Sequence, residues 1–467
     1  MKKSLILSYI DGITDDTSSE SYSTILRYFW PEFVTAFALY SILHLLDARF
    51  VSDLKSTTMY ATLGVTNTLI HFIVKAAEGI AVGAVIICGQ FNGAKQYQKV
   101  GAAFVEIFWM IVLIGVLFSG FLYLAAPTIY SWYGVPQNMI ALGVPFLRLQ
   151  AVGVLFMFLY FGLVAFLRSV KDTKTPMYIF MLGGATFVFF DYTLIFGKFG
   201  FPQMGFIGSA TANVIQYGVM LFASIIVVLV NDNYRMYGIN LLRPLNDFGI
   251  IKRFFSLGWP MLIDKLTMAA AYIWLGKMLA TMGEFSIASF TVIKDMERFA
   301  FLPAIAFAQI ITLLSSNNFG SGNLGGVKSN IKKVLFLSNI GVGIILVIFS
   351  IWPTEFISLF DQKGDFTTMS AYIYPVLAPF VFFDVFQIVL SGALRGASDV
   401  KTVMWTRFLV CLGIFGPISY MLAHFFNGPA VMKFILIYGT FYLSNGVMSM
   451  VYINRFRSDK WKKDIRI

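Results

Sequence analysis

Apolar runs long enough to cross a bilayer recur from one end of this chain to the other, and they decide what it can fold into. "GVLFMFLYFGLVAFL" at 153–167 and "ASIIVVLVN" at 223–231 are two of them. Segments of about 20 apolar residues read as membrane-spanning helices. With 58% hydrophobic and only 13% charged residues, the 467-residue chain lacks the polar surface that a water-facing fold of this size needs. Polar breaks divide it into twelve predicted spans near 27–52, 58–91, 98–126, 136–168, 174–197, 204–231, 248–281, 284–314, 329–353, 367–396, 400–425 and 431–455. No segment alternates with the roughly ten-residue period of a membrane barrel strand. The expected fold is therefore all-α and integral to the membrane.

Orientation follows from the cations. Alternate loops are basic: Lys95 and Lys99; Arg168, Lys171 and Lys174; Arg235, Arg243, Lys252 and Arg253; Lys328, Lys332 and Lys333; Arg395 and Lys401. The tail "NRFRSDKWKKDIRI" belongs with them, whereas the other loops hold single cations such as Lys55, Lys198 and Lys433. Both termini are thus expected in the cytoplasm, most simply behind a bacterial inner membrane. The net charge of +11 reflects this bias and attraction to anionic lipid, with no nucleic acid implied. Residues 1–24 read as a flexible cytoplasmic lead-in, too short in apolar run for a signal peptide. Cys88 and Cys411 sit in separate spans, as packing residues rather than a disulfide.

The chain also repeats itself. "FLRSVKDTKTPMY" at 166–178 returns as "ALRGASDVKTVMW" at 393–405, an offset of 227 residues. The same offset lays Gln90 over Asn317 and Gly93 over Gly320. Two homologous six-helix bundles are expected, 25–240 and 241–455, followed by a basic tail at 456–467. An even number of spans gives both halves the same topology, related by a pseudo-twofold along the membrane normal and able to rock about a central cavity. In each loop copy the Arg complements a helix C-terminus, and Asp172 or Asp399 lies at the start of the next helix.

Several motifs in order resemble the multidrug and toxic compound extrusion (MATE) transporters, a group whose wider superfamily includes lipid-linked oligosaccharide flippases. They are "LLDARFVSDL", "GQFNGA", "LRSVKDTKTPM", "FDYTLIFG", "GFIGSATANVIQ", "GWPMLID", "FLPAIAFAQ" and "FFDVFQIVLSGALRGASDVKT". The resemblance implies a two-lobe exporter working by alternating access, a monomer in lipid. It would expel small amphipathic or cationic compounds against protons or sodium, with no other cofactor. A lipid-linked or anionic substrate is the alternative.

An ionised side chain at bilayer depth is costly, so intramembrane carboxylates are candidate sites. Asp47, Asp191 and Asp384 stand within spans 1, 5 and 10. The resemblance assigns Asp47 and Asp191 to the coupling ion in the first lobe and Asp384 to a carboxylate of the second. Where relatives carry an Asn one turn before the span-5 Asp, this chain has Phe187, and where they carry a Thr in span 6 it has Asn213. Losing one oxygen ligand favours protons over sodium. At the 227 offset, Asp47 and Asp191 correspond to Trp274 and Ile418, so these carboxylates are not architectural repeats.

The second half is more densely charged: Asp264 and Lys265 in span 7, and Lys294, Asp295, Glu297 and Arg298 in span 8. Lys294, Glu297 and Arg298 share a helix face. These charges either pair with one another, with Lys265 reaching Asp384, or meet substrate. Gln90, Gln216, Gln387 and Tyr40 are further candidates for a cavity wall. Lys75 and Glu78 form a structural pair. His44, His71 and His424 have no metal-ligand spacing. The loops are short and lack a phosphate-binding glycine loop or an HExxH helix, which argues against an enzyme.

Overall fold

The computed structural model describes residues 19–38, 43–243, 245, 247–358, 360, 361, 364 and 366–464. Among these residues the regular structure is helical, with no strand. Helices α1 (Tyr22–Phe37) and α2 (Leu43–Ser52) form the first span. Five long helices follow: α3 (Thr57–Gly93), α4 (Tyr97–Tyr133), α5 (Gln137–Ser169), α6 (Lys174–Phe196) and α7 (Phe206–Val230). After a 3-10 turn at Asp232–Tyr237 come α8 (Phe248–Ala280), α9 (Glu284–Gly320) and α10 (Leu324–Ile351). The short α11 (Pro353–Ser358) leads to α12 (Thr367–Gly396), α13 (Val400–Phe425) and α14 (Ala430–Arg457).

Ten of these helices are long and apolar enough to cross a membrane. The remaining spans of the expected twelve are the α1–α2 pair, in pieces of 16 and 10 residues, and α8, which carries Lys252, Arg253, Asp264, Lys265 and Lys277. The protein is an all-α integral membrane protein. Prolines account for its irregular turns. Pro379 lies in the 3-10 turn Ala378–Phe380 inside α12, and Pro417 follows the π-helical Cys411–Phe415 inside α13. Each removes the backbone N–H that a regular helix would use.

The chain divides into two compact units. One is Trp30–Gly258; the other joins the described residues up to Phe29 with those from Trp259 onward. The boundary expected near residue 240 therefore falls at 258. Its cause is a set of tethers: Trp109 Nε1 donates to Leu241 O at 2.8 Å, Asp247 N donates to Glu106 Oε1 at 3.1 Å, and Arg253 donates to Gln90.

The described part of the lead-in expected through residue 24 makes contacts within its unit. Glu20 N donates to Asn330 Oδ1 at 3.0 Å, Lys333 Nζ to Glu20 O at 3.1 Å, and Phe29 stacks on Phe307 with centroids 4.3 Å apart. Residues 1–18 and Tyr40 lie outside the described residues. At the other end, helix α14 continues to Arg457, and Trp461 is buried against Phe319 and Phe456. The tail thus begins as part of the fold.

The repeat is visible in backbone detail. Lys171 and Ser398, 227 residues apart, have φ of 65° and 66°, and Lys95 and Gly322 have φ of 58° and 74°. Asp172 N bonds Leu167 O at 3.0 Å, as Asp399 N bonds Leu394 O at 2.9 Å. Each Asp then caps the following helix: Thr175 Oγ1 donates to Asp172 Oδ2 at 2.6 Å, and Thr402 Oγ1 to Asp399 Oδ1 at 2.7 Å. Each also fixes the last segment of its own half, through Tyr234 OH at 2.5 Å and Arg455 Nε at 2.6 Å. The preceding basic residue does more than face a helix dipole. Arg168 binds Glu32 with two bonds of 2.7 Å, and Arg395 binds Asp264 at 2.7 Å.

Candidate functional site

In the Trp30–Gly258 unit, α2 and α6 bring two sequence-predicted positions together, Asp47 and Asp191. Phe50 of α2 packs on Tyr192 and Phe196 of α6, with centroids 5.7 and 6.2 Å apart. Gly184 leaves room for Leu43. This packing buries Asp47 on α2 and Asp191 on α6 near enough for the charge of one to act on the other. Ser209 Oγ of α7 donates to Asp47 Oδ1 at 2.7 Å, and Asn67 of α3 lies beside it. Asp191 is 0% exposed, and neither carboxylate oxygen has a hydrogen-bond partner among the described residues.

Asn213 stands one helical turn beyond Ser209 and on the same face of α7. Its Oδ1 lies 3.1 Å from where a Cβ on Gly153 of α5 would stand. Gln150, three residues before Gly153, is buried, and its Oε1 has no partner among the described residues. Nothing in the sequence distinguished it from the other intramembrane amides. One end of this polar region is closed by an apolar cluster of Val51, Leu63, Phe146, Ile195, Phe206 and Ala210. Phe187, where an amide was noted as missing, is a buried ring. The site therefore has two carboxylates, one of them well bonded and one bare.

The other unit has no such pair at the equivalent places. Trp274, the counterpart of Asp47, donates its indole N–H to Ser419 Oγ at 2.9 Å, filling that position with a neutral contact. Its charges are organised around Asp264 instead. Arg395 Nη2 lies 2.7 Å from Asp264 Oδ2 and Arg407 Nε 2.5 Å from Oδ1. Arg407 also acts on Asp384 of α12, which is buried and makes no hydrogen bond or ion pair among the described residues. Lys265 acts on Asp264, and Arg407 is a cation that acts on Asp384.

The expected pairing along α9 is corrected as well. Glu297 points inward and accepts a hydrogen bond from Tyr438 OH. Lys294 is half-buried, with Nζ 5.4 Å from the centroid of the Phe290 ring and no ion pair among the described residues. Asp295 is half-buried and unpaired in the same sense, and Arg298 is exposed. Shared spacing put Lys294 and Glu297 on one face, but the buried tyrosines of α14 take the carboxylate. The three candidate amides are all buried: Gln90 accepts from Arg253, Gln216 lies beside Gly183, and Gln387 sits within its own unit. None lines an open wall. Lys75 and Glu78 do pair, at 2.9 Å.

The sequence profile of the MatE family matches residues 33–193 and 260–421. The chain belongs to the MATE family of transporters. The two matched segments fall one in each half of the repeat. Among related sequences, this MATE-family chain is 24% identical over 366 residues to a probable multidrug resistance protein, YoeA, of Bacillus subtilis, covering 76% of this chain and 77% of that one. The multidrug resistance protein NorM of Photobacterium profundum is 22% identical, covering 79% and 80%.

In three dimensions the chain is similar to a MATE crystal structure in a bent conformation, with a TM-score of 0.85, 18% identity and coverage of 97% and 98%. It is also similar to a MOP superfamily transporter from Pyrococcus furiosus, with a TM-score of 0.84, 17% identity and coverage of 96% and 97%. For that archaeal protein, reversed polarity of the binding pocket has been taken to suggest a different function.

Two members of the charged set are not among the sequence-predicted site residues: Glu32 stands near the start of the first span, and Arg407 is one cation in a long apolar segment that names no partner. The signal for both was present: an ionisable residue inside a membrane helix needs a counter-charge.

Proposed function

We propose that this protein is a cation-coupled exporter of small amphipathic or cationic compounds, with protons as the coupling ion. The observation that carries the reading is the buried Asp47–Asp191 pair, in which Asp191 has no hydrogen-bond partner among the described residues. Two ionised carboxylates this close in a low-dielectric site repel, so binding one proton relieves the repulsion. Sodium would need several oxygen ligands. Here a buried phenylalanine, Phe187, stands one turn before Asp191, and Ser209 is engaged with Asp47. The two homologous halves support alternating access, with proton binding in the first unit biasing the direction in which the cavity opens. The multidrug names of YoeA and NorM support drug-like substrates. We place the protein in a bacterial cytoplasmic membrane, as a monomer with both termini in the cytoplasm.

The test is efflux of ethidium from liposomes under a separately imposed proton or sodium gradient, for the parent protein, Asp47→Asn and Asp191→Asn. Proton-driven efflux that both substitutions abolish is the expected result. Efflux that only sodium drives, or that survives both substitutions, would overturn the reading. A second reading rests on Lys294, a half-buried cation with no ion pair among the described residues. It makes the substrate anionic or lipid-linked, and absence of ethidium efflux from folded protein would favour it.

A further inference from the structure

A groove on the exposed face of the second unit plays no part in the site described above. It lies between α13 and α14, has a volume of about 410 Å³, and is walled by Trp405, Leu409 and Val410 of α13 and Val451 of α14. Lys401 and Thr402, in the first turn of α13, complete the lining. Lys401, Trp405 and Leu409 are spaced four apart, so they form one stripe along α13 about 12 Å long. All three are exposed, Trp405 by 51% and Leu409 by 61%, and so is Val451 on the facing helix.

The charge at the head of this groove is not spent on the fold. Lys401 stands where a cation opposes the helix dipole instead of complementing it. It makes no hydrogen bond or ion pair among the described residues. The carboxylate two residues earlier, Asp399, is taken on both oxygens, by Thr402 Oγ1 at 2.7 Å and by Arg455 Nε at 2.6 Å. Arg455, one turn beyond Val451 on α14, is thereby balanced, and Arg407 points inward to Asp264. Lys401 is left as the uncompensated charge. The first half carries the same stripe over closed packing: Lys174, Tyr178 and Leu182 lie 227 residues earlier and are exposed. There α6 has Gly183, and a Cβ on it would meet Met220 of α7 at 2.2 Å, so the two helices close on each other. In the second half Val410 replaces that glycine and the shorter Val447 replaces Met220. The π-helical turn Cys411–Phe415 starts directly after Val410.

We propose that this groove binds one anionic phospholipid, with its phosphate on Lys401 and an acyl chain along Trp405, Leu409 and Val451. The order of chemistry along the stripe is that of a lipid molecule: a cation at headgroup level, an aromatic ring at the interface, then an apolar wall. Its length covers most of the roughly 15 Å of hydrocarbon in one leaflet. A zwitterionic lipid carries its own cation and gains less from an uncompensated lysine. A soluble phosphate compound would use Lys401 and leave the apolar wall uncovered. The site lies on the lipid-facing side of α13 and α14, so it stands whatever the protein transports.

Quenching of Trp405 by brominated lipid tests the site in the full-length protein. The chain is reconstituted in phosphatidylcholine vesicles containing increasing fractions of brominated phosphatidylglycerol or brominated phosphatidylcholine. The Trp405 signal is the difference between the parent and Trp405→Phe. Half-quenching is expected at about a fivefold lower fraction of the anionic lipid, the preference that one lysine at a membrane surface gives. Lys401→Gln should abolish the preference and Lys401→Arg should keep it. The first half supplies the control for surface charge alone. In a Trp405→Phe background, Tyr178→Trp places the same reporter one turn from Lys174 over closed packing, and it should show little preference. Equal quenching by the two lipids in the parent, or a preference that survives Lys401→Gln, would overturn the proposal. So would an equal preference at Tyr178→Trp, which would make the effect one of surface lysines without a groove. If Lys401→Gln does not fold, the comparison between the Trp405 and Tyr178→Trp reporters decides. Glycerol phosphate at millimolar concentration should leave the preference intact; its loss would make the occupant a soluble phosphate and refute a lipid site.

Discussion

Replacing Asp264 with Leu should be among the most damaging single changes in the second unit. Its carboxylate answers two guanidinium groups at once, at 2.7 and 2.5 Å, and Arg407 is only 6% exposed. Removing one partner of a buried pair strands the other charge, at a cost of about 3–5 kcal/mol. Arg395 is 12% exposed and closer to a helix end, so its loss adds about 1–2 kcal/mol. Arg407→Met is milder because Asp264 keeps Arg395; losing one charge-assisted hydrogen bond costs about 1.5–3 kcal/mol. In Asp264→Leu/Arg407→Met, the most deeply buried guanidinium is removed together with its partner and an apolar pair fills the space. That double variant should be more stable than Asp264→Leu by about 2 kcal/mol or more.

Thermal unfolding followed by tryptophan fluorescence in detergent measures these differences. A cooperative unit of roughly 200 residues shifts by about 2–4 °C per kcal/mol. Asp264→Leu should therefore lower the midpoint by about 10–20 °C, with part recovered in the double variant. If the double variant is as unstable as Asp264→Leu, the stranded-charge argument is wrong. Asp264 would then matter for shape alone.

Three other outcomes are expected. Asp191→Asn should leave the unfolding midpoint unchanged or higher, because its oxygens have no hydrogen bond to lose among the described residues; a fall of several degrees would mark Asp191 as structural. Gly392→Val should destabilise strongly, since even a Cβ there meets Ala308 O at 2.8 Å; native-like yield and midpoint would contradict the close α9–α12 packing. Hydrogen bonds from Lys328 and Lys462 hold the Asp459 carboxyl below its usual range, so its contribution is present above the unfolded-state value and is lost as pH falls through the lower folded one. Protease susceptibility of the C-terminal segment should therefore rise on acidification in the parent and be less pH-dependent in Asp459→Asn.

Much of this fold was written locally. Apolar length fixes a membrane helix because every backbone polar group must be satisfied within its own segment, so the spans could be read with no knowledge of their neighbours. The two loops around Lys171 and Ser398 share a turn set by a few adjacent residues, and their likeness in sequence became a likeness in φ and hydrogen bonding. Asp47 and Asp191 could be singled out because charge inside a membrane is conspicuous by itself.

Partner choice was not local. Helical spacing put Lys294 and Glu297 on one face, but burial turned Glu297 toward Tyr438 on a helix that begins 133 residues later and left Lys294 on Phe290. The same applies to Asp264, whose partners Arg395 and Arg407 lie 131 and 143 residues away. The unit boundary at 258 depended on Trp109, Glu106 and Gln90 reaching back to the linker. A buried charge states in the sequence that it needs an answer, and only the packing of distant helices decides which group supplies it.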